Sequence, residues 1–245
     1  MALYNDYGII FKIKDFSEAD KIVSVLTKKH GRVEAIGKGA RRPTSRKTSS
    51  IDLFNEGKFS FAEGNNLDIL IEIDLKDDHE DIKKNLKLSK NLFYFSELID
   101  RFFPENGQGE EIFNIIKELL SNFSYANRDA LRVAFELKLL NTGGFGPNIE
   151  TCDLCGGELQ KGIERVAHAG SGIGFICVKH LKNDNYTIIG DRIIKILRFL
   201  LSNTFDKAIS LSVLDQDLIK IKKLNKLWIQ SIIGKEIKSY KFLEK

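Results

Sequence analysis

In the first third of the chain, apolar and polar residues alternate in short runs. Residues 8–14 (GIIFKIK), 22–27 (IVSVLT), 32–37, 58–62 and 67–73 (LDILIEI) are rich in β-branched side chains with a repeat near two. Each therefore predicts a strand with one face toward a core. In the last run Leu67, Ile69, Ile71 and Ile73 are predicted to share that face. His30-Gly31, Gly57 and Gly64-Asn65-Asn66 supply the expected turns. Five strands in about 75 residues, with no long helix between them, predict a small antiparallel barrel or sandwich, for which the five-stranded OB type is the natural candidate.

After Asp74 the apolar period lengthens to that of a helix. Residues 81–103 (Ile82, Leu86, Phe93, Leu98, Phe102), 110–123 (Ile112, Ile115, Ile116, Leu119, Leu120) and 126–140 (Leu131, Ala134, Phe135, Leu139, Leu140) each predict an amphipathic helix. Pro104 and Gly107 end the first; Gly143, Gly144, Gly146 and Pro147 end the third. Residues 191–201 and 217–240 again predict helix. The expected fold is α+β: an N-terminal five-stranded OB-type β-barrel, residues 1–76, followed by an α-helical domain, residues 81–245. A Cys-containing insert interrupts the second domain at about 151–181, and the linker falls near 76–80.

Composition acts mainly by exclusion. A chain that is 42% hydrophobic and 29% charged is globular, and 3 prolines rule out a proline-rich stalk. No apolar run approaches the roughly 20 residues of a membrane span, and the first 15 residues lack the pattern of a signal peptide, so the expected compartment is the cytoplasm.

Net charge is only +4, but it is unevenly spread. Residues 28–47 carry eight basic side chains (Lys28, Lys29, Arg32, Lys38, Arg41, Arg42, Arg46, Lys47) against one acid, Glu34. A patch of one sign attracts polyanions whatever the whole-molecule sum. The run from Gly37 to Lys47 places its cations on a connection expected to be flexible, with Thr44, Ser45, Thr48, Ser49 and Ser50 as additional phosphate donors. Phe11, Phe16, Phe54, Phe59 and Phe61 are available to stack bases on such a barrel, although core is the expected fate of most of them. A second basic region, residues 218–245, has eight lysines against two acids around Leu224, Leu227, Trp228, Ile232 and Ile233; a helix with a core face and a lysine-rich outer face accounts for it.

All three cysteines lie within 26 residues. Cys152-x2-Cys155 and Cys177-x2-His180 form two pairs with metal-knuckle spacing, 21 residues apart. Two intervening residues let one tight turn aim two side chains at one ion, and three thiolates with an imidazole suit a single Zn2+. Gly156 and Gly157 follow the first pair, where a chain folding back around a metal needs positive φ. His168 is a competing ligand without the spacing. Four protein ligands leave no position for an activated water, so the expected role is structural, stapling an insert too short and polar to hold itself together. Gly37-x-Gly39 lacks the P-loop ending, and no Ser/His/Asp set or isolated carboxylate pair is evident. No enzymatic activity is expected.

The stretches Gly8-Ile9-Ile10, Phe16-Ser17-Glu18-Ala19-Asp20-Lys21-Ile22-Val23, Leu26-Thr27, His30-Gly31 and Gly37-Lys38-Gly39-Ala40-Arg41-Arg42 resemble the opening of the RecO family of bacterial recombination mediators. So do Phe135-Glu136-Leu137 and Leu139-Leu140 leading into Gly143/Gly144, Pro147 and Cys152-x2-Cys155-Gly156. The resemblance implies a non-enzymatic protein of DNA repair that binds single- and double-stranded DNA and anneals complementary strands. It further implies contact with the single-stranded DNA-binding protein and help, with RecR, in loading RecA. It carries DNA contact onto Lys38, Arg41 and Arg42, with Arg46, Lys47 and Arg32 added on charge. It carries the metal role onto Cys152, Cys155 and Cys177, with His180 where the family often has cysteine. The competing classes are a zinc-ribbon adaptor between proteins, a transcription regulator and a zinc-dependent enzyme.

Overall fold

The computed structural model describes residues 2–42, 45–103, 109–123, 128–159, 165–169, 173–180 and 188–243. They fall into two compact units, one of residues 1–120 with 238–245, the other of residues 121–237.

In the first unit β1 (Leu3–Asp15), β2 (Lys21–Thr27), β3 (Gly31–Gly37), β4 (Glu56–Ala62) and β5 (Asp68–Asp77) close into a barrel in the order β1-β2-β3-β5-β4. All pairings are antiparallel except β3 with β5, as closing five strands requires. Ile10, Val23, Val25, Val33, Ala35, Phe59, Phe61 and Leu70 fill the interior, joined by Ala40 and Ile51 from the β3–β4 connection. That connection holds a short helix, α1 (Arg46–Ser50).

Bulges alter the expected alternation. In β5, Leu70 pairs with Phe61 and Glu72 with Ser60, so Ile71 is the extra residue. The inward side chains are therefore Leu70, fully buried, and Ile73, while Ile71 is 45% exposed; the face assigned from Leu67, Ile69, Ile71 and Ile73 is corrected accordingly. In β1 a matching shift skips Phe11, and Ile9, Ile10 and Phe11 are all completely buried, because this strand is covered on both faces. Gly57 is not a turn residue but a member of β4. A Cβ there would lie 2.3 Å from the carbonyl oxygen of Asp74 on β5. Gly57→Ala is expected to force the two strands apart and cost about 1–3 kcal/mol, read as a lower urea midpoint.

The helix expected at 81–103 is two: α2 (Glu80–Lys84) and α3 (Leu86–Phe102). Asn85, extended at φ −89°, breaks them, and its side chain accepts the N–H groups of Lys87 and Leu88 as an N-cap. The new start turns Leu88, Leu92, Phe95, Leu98 and Ile99 inward and leaves Leu86 72% and Phe93 61% exposed, contrary to the expected core positions. α4 (Gly109–Asn122) buries Ile112, Ile116, Leu119 and Leu120.

In the second unit α5 (Arg128–Thr142) buries every apolar residue expected of it. α6 (Asp191–Ser202), α7 (Phe205–Ser210) and α8 (Asp215–Ile233) follow a three-stranded sheet of order β7-β6-β8, formed by β6 (Arg165–Ala169), β7 (Ile173–Cys177) and β8 (Ile188–Ile189). The last predicted helix stops at Gly234, which takes φ 64° as its C-cap, and α9 (Tyr240–Leu243) is separate and belongs to the first unit. β7 is more buried than a metal-stapled insert needs: Ile173, Phe175 and Ile176 are all inside, and Phe175 meets the edge of Trp228 on α8 at 5.7 Å. No helix among the described residues is long and apolar enough to cross a membrane.

Candidate nucleic-acid interface and metal centre

The basic run leaves the barrel at the end of β3, and its first half is pinned. The β1–β2 turn, residues 15–20, does the pinning. Ser17 organises the turn, its hydroxyl oxygen accepting the N–H of Asp20 at 3.1 Å, while the Phe16 N–H donates to the Asp20 carbonyl at 3.1 Å. Asp20 then accepts the Gly39 N–H at 2.8 Å, and the carbonyl of Ala19 accepts the Arg41 N–H at 2.9 Å. The Arg41 guanidinium donates to the Ser17 carbonyl at 2.7 Å and stands 3.4 Å from the Asp15 carboxylate. From the other side the Thr48 hydroxyl lies 3.0 and 2.9 Å from the carbonyls of Ala40 and Arg42. With Ala40 wholly buried as an anchor, residues 37–42 of the segment expected to be flexible form a stitched loop.

Its cations differ in what they can do. Lys38 and Arg42 are exposed, and neither meets a carboxylate among the described residues. Arg41 is 38% exposed, its charge partly answered by an Asp15 that is itself in solvent. Arg46 and Lys47 lie on α1, and their side chains are outside the described residues.

Arg32 is engaged in structure. It is 11% exposed, contacts Glu34 at 2.8 Å and Asp100 at 3.0 Å, donates to the Phe103 carbonyl and lies over the Phe11 ring at 5.1 Å. Burial pushes the Asp100 carboxyl up, but hydrogen bonds and charge from Lys12 and Arg32 outweigh it and hold the group below its ordinary value. A lowered folded value contributes stability above the unfolded carboxyl value, about 3.9, and loses it as pH falls through the folded one. Wild type and Asp100→Asn are therefore expected to differ in urea stability at pH 6 and to converge as pH drops below about 4.

Of the five phenylalanines weighed as stacking candidates, Phe11, Phe54, Phe59 and Phe61 are fully buried. Phe16, in the pinning turn, is 55% exposed. The part played by residues 15–20 was missed in the sequence; Ser17 and Asp20, three positions apart and a turn-forming combination, are the signal that marks it. On α8, Lys220 and Lys223 face solvent and Lys222 pairs with Asp129, while Leu224 and Trp228 are buried, although Leu227 is 44% exposed.

In the second unit the structure gathers Cys152, Cys155, Cys177 and His180, whose ligand atoms all lie within 4.8 Å of one another. His180 Nδ1 is 3.5 Å from Cys152 Sγ and 3.2 Å from Cys177 Sγ, and the Cys155 and Cys177 sulfurs are 4.0 Å apart. A tetrahedron with bonds of about 2.3 Å to sulfur and about 2.0 Å to nitrogen has edges of about 3.5–3.8 Å, so the donor set fits one ion.

Local chain geometry builds this cluster. Gly156 takes φ 69°, its N–H returns to the Cys152 carbonyl at 2.9 Å, and the Cys152 N–H donates to the Gly157 carbonyl at 2.8 Å. The knuckle docks on β7 through the Asp153 N–H to the Phe175 carbonyl, 3.1 Å. The η-type turn Val178–His180 brings the imidazole back beside Cys177. The side chain of His168, on β6, lies outside the described residues.

Burial pushes the Cys152 thiol up, but N–H groups of Cys177, Cys155 and Leu154 aimed at its sulfur bring it down to about 6. Burial and the sulfurs of Cys152 and Cys155 raise Cys177. Three thiolates this close repel one another unless a cation lies between them.

Residues 1–78 match the family model "Recombination protein O N terminal" and residues 86–241 match "Recombination protein O C terminal". A protein of Symbiobacterium thermophilum named DNA repair protein RecO is 35% identical over 177 residues, 71% of this chain and 70% of that one. Proteins of the same name from Desulforamulus reducens and Bacillus cytotoxicus are each 25% identical, over 100% and 97% of this chain and 95% of theirs.

Proposed function

The chain belongs to the RecO family of DNA repair proteins, and from that membership we propose that it is a non-enzymatic mediator of recombination. In this reading it binds single- and double-stranded DNA through the barrel of residues 1–76, anneals complementary strands and assists RecA loading with RecR on DNA coated by the single-stranded DNA-binding protein. The observation that carries it is the stitched loop, which holds Lys38 and Arg42 exposed and, among the described residues, without a carboxylate partner, beside a barrel whose fold class accepts single strands.

The chemistry is electrostatic. Two complementary strands repel each other, and a cationic surface that holds both lowers the repulsion and raises their local concentration. Contacts to phosphate leave base edges free to pair, which base readout would not. The reading places the protein in the cytoplasm at the nucleoid. It assigns one structural Zn2+ to Cys152, Cys155, Cys177 and His180, a closed set with no place for a reacting water. Arg32 stays outside the proposed contact set because Glu34 and Asp100 already answer its charge.

A binding curve for unrelated single-stranded oligonucleotides and for a duplex, each titrated with salt, tests the proposal. Sequence-neutral affinity that falls steeply with salt is expected for both. Absence of binding at 50 mM salt favours an adaptor between proteins, and binding to one duplex sequence alone favours a transcription regulator.

A further inference from the structure

Phe16 stands apart from the other aromatic residues of the barrel region. It sits in the pinning turn and is 55% exposed. Its two chain neighbours, Asp15 and Ser17, both touch the Arg41 guanidinium, at 3.4 Å through a carboxylate and 2.7 Å through a carbonyl. The backbone that carries it is held at Phe16 N–H, at the Ser17 hydroxyl and at Asp20, so the position of the ring relative to the cationic loop is set by hydrogen bonds rather than by a free loop tip. Five basic residues (Lys14, Lys21, Lys38, Arg41, Arg42) flank it against three acids. Of the acids, Asp15 faces Arg41 and Asp20 accepts a backbone N–H, while Asp15 and Glu18 are both exposed to solvent.

We propose that Phe16 is a stacking platform for an unpaired base of single-stranded DNA whose phosphates lie along Lys38, Arg41 and Arg42. The proposal rests on the DNA-binding reading above and adds to it a contact that distinguishes single strands from duplex. An aromatic face next to fixed cations is the combination that tracks a single strand: the cations take the backbone, and the ring takes a base of any identity because every base offers a π face. In a duplex the bases are already stacked on one another, so the ring has nothing to receive. The aromatic contact thus biases the surface toward unpaired DNA, and releases the base when it pairs.

The test uses the full chain, a 20-nucleotide oligothymidylate, a strand of the same length that is abasic at every position, and a 20-base-pair duplex. Phe16→Ala is expected to weaken binding to the intact oligonucleotide about tenfold, the size of one lost stacking contact. Affinity for the abasic strand and the duplex, and the salt slope on every ligand, are expected to stay as in wild type. Phe16→Trp is expected to restore affinity and to be quenched by the intact strand but not by the abasic one; Trp228, fully buried in the second unit, gives a constant background. Equal losses on all three ligands, or no loss on any, overturn the stacking role. Failure of the underlying reading looks different: wild type itself then shows no salt-dependent affinity for any of the three, and the platform falls with it.

Discussion

Cys152→Ala is expected to empty the proposed zinc site and to lower the stability of the second unit by about 3 kcal/mol or more, some 6–12 °C in midpoint for a chain of this length. Cys152 is the buried member of the set, and N–H groups of Cys177, Cys155 and Leu154 converge on its sulfur, so its loss removes a ligand and orphans three donors at once. The effect has a ceiling. β7 keeps its own apolar contacts, Phe175 against Trp228 among them, so the strand is expected to stay docked while the knuckle at 152–157 opens. Limited proteolysis should then cut near residues 152–159 and spare α5 and α8, and the one zinc per chain proposed above should fall to almost none. Acid is expected to imitate the substitution, because thiolates and imidazole must lose protons to bind. DNA affinity in the variant is expected to change little. A variant that retained stoichiometric metal would overturn the four-ligand assignment.

The gathering of Cys152, Cys155, Cys177 and His180 was legible because its signal is local: two pairs at fixed spacing, and a glycine placed where the returning chain needs positive φ, as Gly156 has at 69°. The barrel was legible for a similar reason, since alternation reports a strand half-buried on a core. What escaped was whatever breaks a period. The extra residues Phe11 and Ile71 shift the inward face by one position, and no apolar pattern reveals where a bulge falls. Asn85 restarts a helix whose apolar residues, read through it, gave Leu86 and Phe93 a core role they do not have. The stitched loop was invisible on other grounds. Its order comes from Asp20 meeting Gly39, 19 positions away across a strand pair, and a glycine-rich basic segment with no partner in view reads as mobile. Other contacts distant in sequence set Arg32, held by Asp100, apart from exposed Arg42, and the barrel core sets Phe59 and Phe61 apart from exposed Phe16.

Reversing charge at Lys38 and Arg42 together is expected to weaken single-strand binding on the order of a hundredfold at 50 mM salt and to flatten the dependence of log affinity on log salt by about 1.4, since each phosphate contact on a single strand contributes about 0.7. These two positions are preferred to Arg41 on structural grounds. Arg41 closes the turn through Ser17 and Asp15, so its loss would release the loop and mix a folding effect with an electrostatic one. Lys38 and Arg42 are exposed, and their charges can be changed without opening an ion pair among the described residues. Urea stability and zinc content are accordingly expected to match wild type. The salt slope separates this result from a generic loss of activity: a misfolded variant loses affinity on every ligand with no defined change in slope, whereas loss of two phosphate contacts alters slope and affinity together. Annealing should fall with binding when protein is scarce and recover at high protein concentration, because the surface acts by holding strands rather than by a chemical step. If the doubly reversed protein kept its affinity and its slope, the barrel loop would not be the DNA contact, and the lysines of α8, with Lys220 and Lys223 in solvent, would be the surface to reverse next.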